Sequence, residues 1–214
     1  VAEIEYWQQK GFTNFNFIDS NFFMSKQRVM DICDSLSNRH LSITLTSDGM
    51  RAKDADPEML KKLKKFGLQS VAIGIESAND DILNSIKKGE TVADLESCME
   101  ILLELDINVV AFFIIGLPGE TIKHVLNSFA FALKYPNINT AYFFNPNPLP
   151  GTELFMYAKQ HRMLRATDSQ IFDNIGGMGN QILIETEELP IPIRGKLLEL
   201  SHHVSRLVEL RHRL

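Results

Sequence analysis

The chain has 214 residues, 44% of them hydrophobic and 23% charged, a composition that suits a globular fold and excludes global disorder. Its formal net charge of −5 leaves no broad basic field for nucleic acid, and no apolar run nears the roughly 20 residues a membrane helix needs. The two cysteines, Cys33 and Cys98, both sit in helical patterns. That excludes a disulfide scaffold and a local CxxC metal knuckle, and the expectation is a cytoplasmic protein with buried thiols.

Residues 2–10 read as a helix. FNFID (Phe15–Asp19) alternates and is rich in aromatic and β-branched residues, the pattern of a strand. Ser25 opens a helix to Leu36, and SITLTS (Ser42–Ser47) is the second strand. Asp56-Pro57 is an N-cap with proline at the first helical position, and that helix ends before Gly67. SVAIGIES (Ser70–Ser77) is a third strand, followed by a short helix from Asn79 to Ile86. Thr91 caps the next helix, with Asp94 at capping-box spacing, as far as Leu105. NVVAFFIIG (Asn108–Gly116), a helix from Thr121 to Leu133, and TAYFFN (Thr140–Asn145) continue the alternation. Gly151-Thr152 opens a helix to about His161. Residues 165–180, with their GGMGN run, read as a loop, and Gln181–Glu185 as a late edge strand. Pro190–Ile193 stops regular structure, and residues 193–214 form one amphipathic helix.

Apolar strands alternating with helices indicate a parallel sheet covered on both faces. The last residues of the five strands (Asp19, Ser47, Glu76, Gly116 and Asn145) are 28, 29, 40 and 29 residues apart. A βα step takes about 30 residues. The fold class is therefore α/β, either an open doubly wound sheet or part of a barrel. Both architectures bind ligands at the carboxyl ends of their strands. Because the chain begins on a helix that itself calls for a preceding strand, a fragment is expected.

Those strand ends are polar. They supply Asp19, Ser20 and Asn21; Ser47, Asp48 and Arg51; Glu76 and Ser77; GLPGET (Gly116–Thr121); and NPNPLPGTEL (Asn145–Leu154). Paired carboxylates suit an ammonium group or a ribose diol, and glycines let a flat ring lie against backbone. Plainer readings compete. Asp19 and Asn21 are also turn formers, and Glu76 could be a structural ion-pair member. GLPGE could be only a helix-capping turn, and Arg51 could pair with Asp54. His40, His124 and His161 are isolated, and the lysines at 61, 62, 64 and 65 read as a solvated helix face.

The motifs FIDSNF (Phe17–Phe22), GLQSVAIGIESANDDILNSIKKGET (Gly67–Thr91), INVVAFFIIGLPGET (Ile107–Thr121) and PLPGTEL (Pro148–Leu154) resemble, in order and spacing, those of the radical S-adenosylmethionine superfamily. The resemblance covers residues 1–160 and is nearest to the branch whose chains often carry a cobalamin-binding domain. It implies strands two to six of a partial (β/α) TIM-like barrel over residues 1–160, with a C-terminal extension over 161–214. It further implies an enzyme in which S-adenosylmethionine (SAM) and a [4Fe–4S] cluster generate a 5′-deoxyadenosyl radical, or cobalamin-assisted methylation, acting on an organic substrate with a flavodoxin- or ferredoxin-type reductant. By motif position, Asp19, Ser20 and Asn21 would meet the methionyl ammonium, and Ser47 and Arg51 its carboxylate. Glu76 and Ser77 would meet the ribose or the methionyl moiety, and the backbones of Ile115, Gly116, Phe144 and Asn145 the adenine. The family's Cys-x3-Cys-x2-Cys loop is absent, so no residue here is expected to bind metal, and this chain alone is expected to be inactive. Two other readings stay open: a cluster-free barrel lyase or aldolase with Glu76 or Asp19 as general base, and a degenerate nucleotide- or partner-binding module.

Overall fold

The computed structural model describes residues 1–37, 39, 41–174 and 181–211. Helix α1 (Ala2–Gln9) precedes β1 (Asn14–Phe17). A 3-10 turn (Phe22–Met24) leads to α2 (Lys26–Ser37), β2 (Thr44–Met50) and α3 (Pro57–Lys65). Then come β3 (Leu68–Glu76), α4 (Asp80–Ser85), α5 (Val92–Glu104) and β4 (Asn108–Ile114). The chain continues through α6 (Ile122–Lys134), β5 (Ile138–Phe144), α7 (Glu153–Gln160), α8 (Asp168–Asp173) and α9 (Ile191–Arg211).

The five strands form one sheet in sequence order, β1-β2-β3-β4-β5. The β1–β2 and β2–β3 pairs are parallel. Val109 N–H donates to Asn137 O at the start of β4 and β5, and Ile115 N–H to Phe144 O at their end, so this pair is parallel too. Sequential parallel strands with intervening helices are the α/β partial-barrel architecture that the strand spacing predicts.

Local chemistry explains the helix starts. Asp56 accepts from Met59 N–H with Pro57 at the first position of α3. Thr91 and Asp94 close the reciprocal box of α5, and those hydrogen bonds from Thr91 hold the Asp94 carboxyl below its usual range. Thr152 caps α7.

Four details differ from the sequence reading. β2 does not stop at Ser47 but runs to Met50. An extra residue is accommodated between Ser47, opposite Val71, and Met50, opposite Ile73, so Ser47 lies within the strand. The expected loop after Arg165 contains α8, capped by the Thr167/Gln170 box; its GGMGN run lies outside the described residues, as does His40. Gln181–Glu185 contributes only an isolated antiparallel bridge, Leu164 to Ile184, and no strand of the sheet. Finally, α9 starts at Ile191, so Pro192 sits in a helical first turn, where its missing N–H costs nothing.

By contacts the chain divides into two compact units, both drawing on the sheet. The first comprises Val1–Ile75, Glu90–Ala111 and Tyr135–Thr140. Its core includes Val29, Cys33 and Leu36 of α2, Met59, Leu60 and Leu63 of α3, and Leu95, Cys98 and Leu102 of α5. The second comprises Glu76–Gly89, Phe112–Lys134 and Ala141–Leu214. Its core includes Phe113, Val125, Phe129, Val204 and Val208, with a satellite of Phe155, Ile171 and Leu183.

Candidate functional site

In the first unit, the segment after β1 presents Asp19, Ser20 and Asn21. The Asp19 carboxylate is half exposed, with the Arg28 guanidinium 3.4 Å away. Asn21 donates to Asp54 Oδ2 at 2.7 Å, while its own Oδ1 is buried with no partner among the described residues. Gly49 of β2 lies against this segment so closely that a Cβ would run into the backbone carbonyls of Asp19 and Ser20. That close approach is why glycine stands there. Ser47 is 2% exposed, and its Oγ also lacks a partner among the described residues. Arg51 reaches the carboxylate of Glu90. Its Nε lies 3.5 Å from Glu90 Oε1, and that oxygen also accepts from Lys53 N–H.

In the second unit, Glu76 ends β3 with φ +63°, in the left-handed region that a non-glycine residue rarely enters. Its Oε1 lies 3.3 Å from Lys88 Nζ, both side chains being largely buried. Ser77 is fully buried and accepts from Asn79 Nδ2, which also donates to His124 O. Asn127 donates to Asn79 Oδ1, and Ala78 N–H to Ser128 Oγ. This network fixes the backbone just after β3. His124, isolated in the sequence, lies 3.2 Å from Asp81 and accepts from Thr121 N–H.

At the end of β4, Gly116 has φ +103°. Its N–H donates to Glu120 Oε2 at 2.5 Å, and Ile115 N–H is taken by Phe144 O. The expectation that a flat ring could lie on Gly116 has a specific outcome: a Cβ there would overlap the Arg194 guanidinium. Arg194, fully buried in α9, donates to Ile184 O and Leu189 O. Glu120 is fully buried as well, and burial pushes its carboxyl up to about 7, against the opposing pull of the Gly116 and Leu117 N–H groups and of Arg194. Asn145 is buried after β5. Lys88, Glu90 and Arg194 thus join the polar groups named from sequence, of which Glu120 in GLPGET was one. Lys88 and Glu90 fall inside the quoted KKGET run, but Arg194 carried no signal.

The fold and these strand ends define the core of a (β/α)-barrel protein with polar groups just beyond its strands. The radical SAM superfamily model matches residues 1–132, and the chain belongs to that superfamily. An uncharacterized methyltransferase of Pyrococcus horikoshii is 32% identical over 154 residues, 72% of this chain and 33% of that protein. The anaerobic magnesium-protoporphyrin IX monomethyl ester cyclase of Cereibacter sphaeroides is 28% identical over 160 residues, 72% of this chain and 26% of that one. The chain therefore spans about a third or less of these curated relatives. Among solved structures, the radical S-adenosylmethionine methyltransferase TsrM of Kitasatospora setae, with tryptophan and a SAM analogue bound, aligns with a TM-score of 0.66 at 20% identity. The alignment covers 78% of this chain and 33% of TsrM, which has also been solved with cobalamin and a [4Fe–4S] cluster.

Members of the superfamily use SAM and a [4Fe–4S] cluster. The residues present fit the first. Within the first unit, Asn21 Oδ1 and Ser47 Oγ are buried acceptors without partners among the described residues. Within the second, Glu76 offers a carboxylate held in a fixed direction. They do not fit the second. Cys33 and Cys98 are the only thiols, both buried in helices, and burial raises them to about 11 and about 12. A cluster needs several thiolates converging on it. No group of three or more His, Cys, Asp or Glu side chains suited to a metal occurs among the described residues.

Proposed function

We propose that this chain is the SAM-binding core of a radical SAM enzyme that modifies an organic substrate. Residues 1–160 make the core and residues 161–214 a C-terminal extension. Bound SAM supplies the methyl or 5′-deoxyadenosyl group of the chemistry. The chain's own residues bind and orient it. Asp19, Ser20 and Asn21 take the methionyl ammonium, with Asn21 Oδ1 as a ready acceptor, and Ser47 and Arg51 take the carboxylate. Glu76 and Ser77 take the ribose hydroxyls. The backbones of Ile115, Gly116, Phe144 and Asn145 cradle the adenine. The cluster belongs to cysteines other than Cys33 and Cys98. Cobalamin is the further cofactor where the product is methylated, as the relatives named above suggest. The electron comes from a flavodoxin- or ferredoxin-type donor, the protein works in the cytoplasm, and nucleic acid is not its partner. No helix among the described residues is long and apolar enough to cross a membrane.

The observation that carries this reading is Glu76: a carboxylate at a strand end, held at φ +63° and steered by Lys88. Strain of this kind costs about 1–3 kcal/mol and persists where the direction of the side chain matters. The test is Glu76→Ala in the cluster-loaded protein. Loss of a charge-assisted pair worth about 1.5–3 kcal/mol weakens SAM binding by roughly ten- to a hundredfold. If affinity and SAM cleavage both stay at the wild-type level, Glu76 leaves the site.

A further inference from the structure

The second unit carries an aromatic surface that SAM binding does not use. Side chains alternate along a strand, so neighbouring aromatics on β4 and β5 point to opposite faces. Phe113 and Phe143 stack at 4.8 Å, and Phe129 of α6 meets Phe143 edge-on at 5.0 Å. That face is covered by α6. Phe112, Tyr142 and Phe144 project from the other face. Their rings lie 5.6–6.0 Å apart at interplanar angles of 15–28°, and Tyr142 is 40% exposed. The three rings are near-parallel and stacked on one another, and the open one, Tyr142, leaves aromatic surface for a further flat ring.

Tyr142 and Phe144 also line a cavity of about 540 Å³, a volume in the range of small-molecule sites. Its opposite wall is α9, fixed to β5 by Ser205 Oγ donating to Ala141 O at 2.7 Å. α9 is fixed again by Arg211 donating to Leu133 O. His202, Arg206 and Glu209 line that wall, at positions i, i+4 and i+7 of one helix face. None of the three forms an ion pair among the described residues. The cavity therefore joins the Tyr142 and Phe144 rings to a guanidinium in no ion pair among the described residues, with one carboxylate at its side.

We propose that this cavity binds a flat aromatic or conjugated ring system bearing a single carboxylate. The ring stacks on the open Tyr142, beside Phe144. The carboxylate is received by Arg206, with His202 as a further donor. Glu209 repels a second negative group, which limits the ligand to one. The site shares only Phe144 with the SAM reading, by its ring here and by its backbone there, and the probe's binding is measured without SAM, so the two readings fail separately.

The test uses 2-naphthoate as the probe, titrated calorimetrically into the purified protein. Two controls share the ring: 2-naphthylmethylammonium and 2,6-naphthalenedicarboxylate. Saturable one-to-one binding of 2-naphthoate is expected, with the cation and the dianion at least about tenfold weaker. Arg206→Gln, on an exposed helix face, weakens 2-naphthoate roughly tenfold and leaves the cation unchanged. Tyr142→Ala weakens both by a similar factor, through lost stacking. Saturating SAM does not displace the probe. Equal affinity for probe and cation overturns the proposal. So does an absence of saturable binding, displacement by SAM, or an Arg206→Gln protein that binds 2-naphthoate like wild type. The probe series needs no variant, so a Tyr142→Ala protein that fails to fold leaves the proposal open to refutation.

Discussion

Glu120→Gln converts the buried acid beneath Gly116 into a group that cannot ionise. In the folded protein the Glu120 carboxyl titrates at about 7, against an ordinary value of 4.5, because burial disfavours its charged form. The folded state thus holds this proton more tightly than the unfolded state. Its contribution is complete below about pH 4.5 and lost as pH rises through about 7. That gap corresponds to about 3 kcal/mol, or roughly 6–12 °C in Tm for a chain of this size. Glutamine can still accept from the Gly116 N–H but carries no such titration. Urea unfolding of both proteins at pH 5, 6, 7 and 8 is the assay. The stability difference, variant minus wild type, should grow by about 2.5 kcal/mol in favour of glutamine between pH 5 and 8. A flat difference, or one that moves toward the wild type with rising pH, would mean that the Arg194 field outweighs burial and would refute the reasoning.

Two further outcomes follow from the same loop and from the thiols. Gly116→Ala combines a left-handed backbone with a Cβ that overlaps Arg194, and should cost about 2–4 kcal/mol in urea unfolding; a cost below about 1 kcal/mol would show that Arg194 moves aside freely. Cys33 and Cys98, raised to about 11 and about 12 by burial, should resist a thiol-disulfide reagent at pH 8 until the chain is denatured. Fast native-state labelling of either would contradict their burial.

The strands were legible because each is a short apolar run between capped helices, and punctuation such as Asp56-Pro57 and Thr91/Asp94 is local chemistry that the chain keeps. β2 was read three residues short because Ser-Asp-Gly after Thr46 has turn composition. What keeps it extended is not local. Met50 pairs with Ile73, Asn16 donates to Asp48, and Gly49 backs onto the Asp19–Ser20 carbonyls. The Thr167/Gln170 box marks the start of α8, but the glycine-rich run after it has the composition of a loop. The polar strand ends were legible as a set, but their partners were not. Arg51 meets Glu90, 39 positions on in the chain, and Glu76 meets Lys88. Nothing in an amphipathic helix pattern marks one arginine, Arg194, as fully buried.

The loop at the end of β4 and the helix that carries Arg194 also set an order of events during synthesis. Glu120 and Arg194 are 74 positions apart in the chain, and the guanidinium lies directly over Gly116. On the ribosome, the GLPGE turn emerges well before α9. Until α9 arrives, the Glu120 carboxyl faces water and can ionise like any exposed acid. Closing so long a span is slow relative to local helix formation. The segments between them can therefore be assembled while this turn still waits for its cover, and α9, which leaves the ribosome later, completes it.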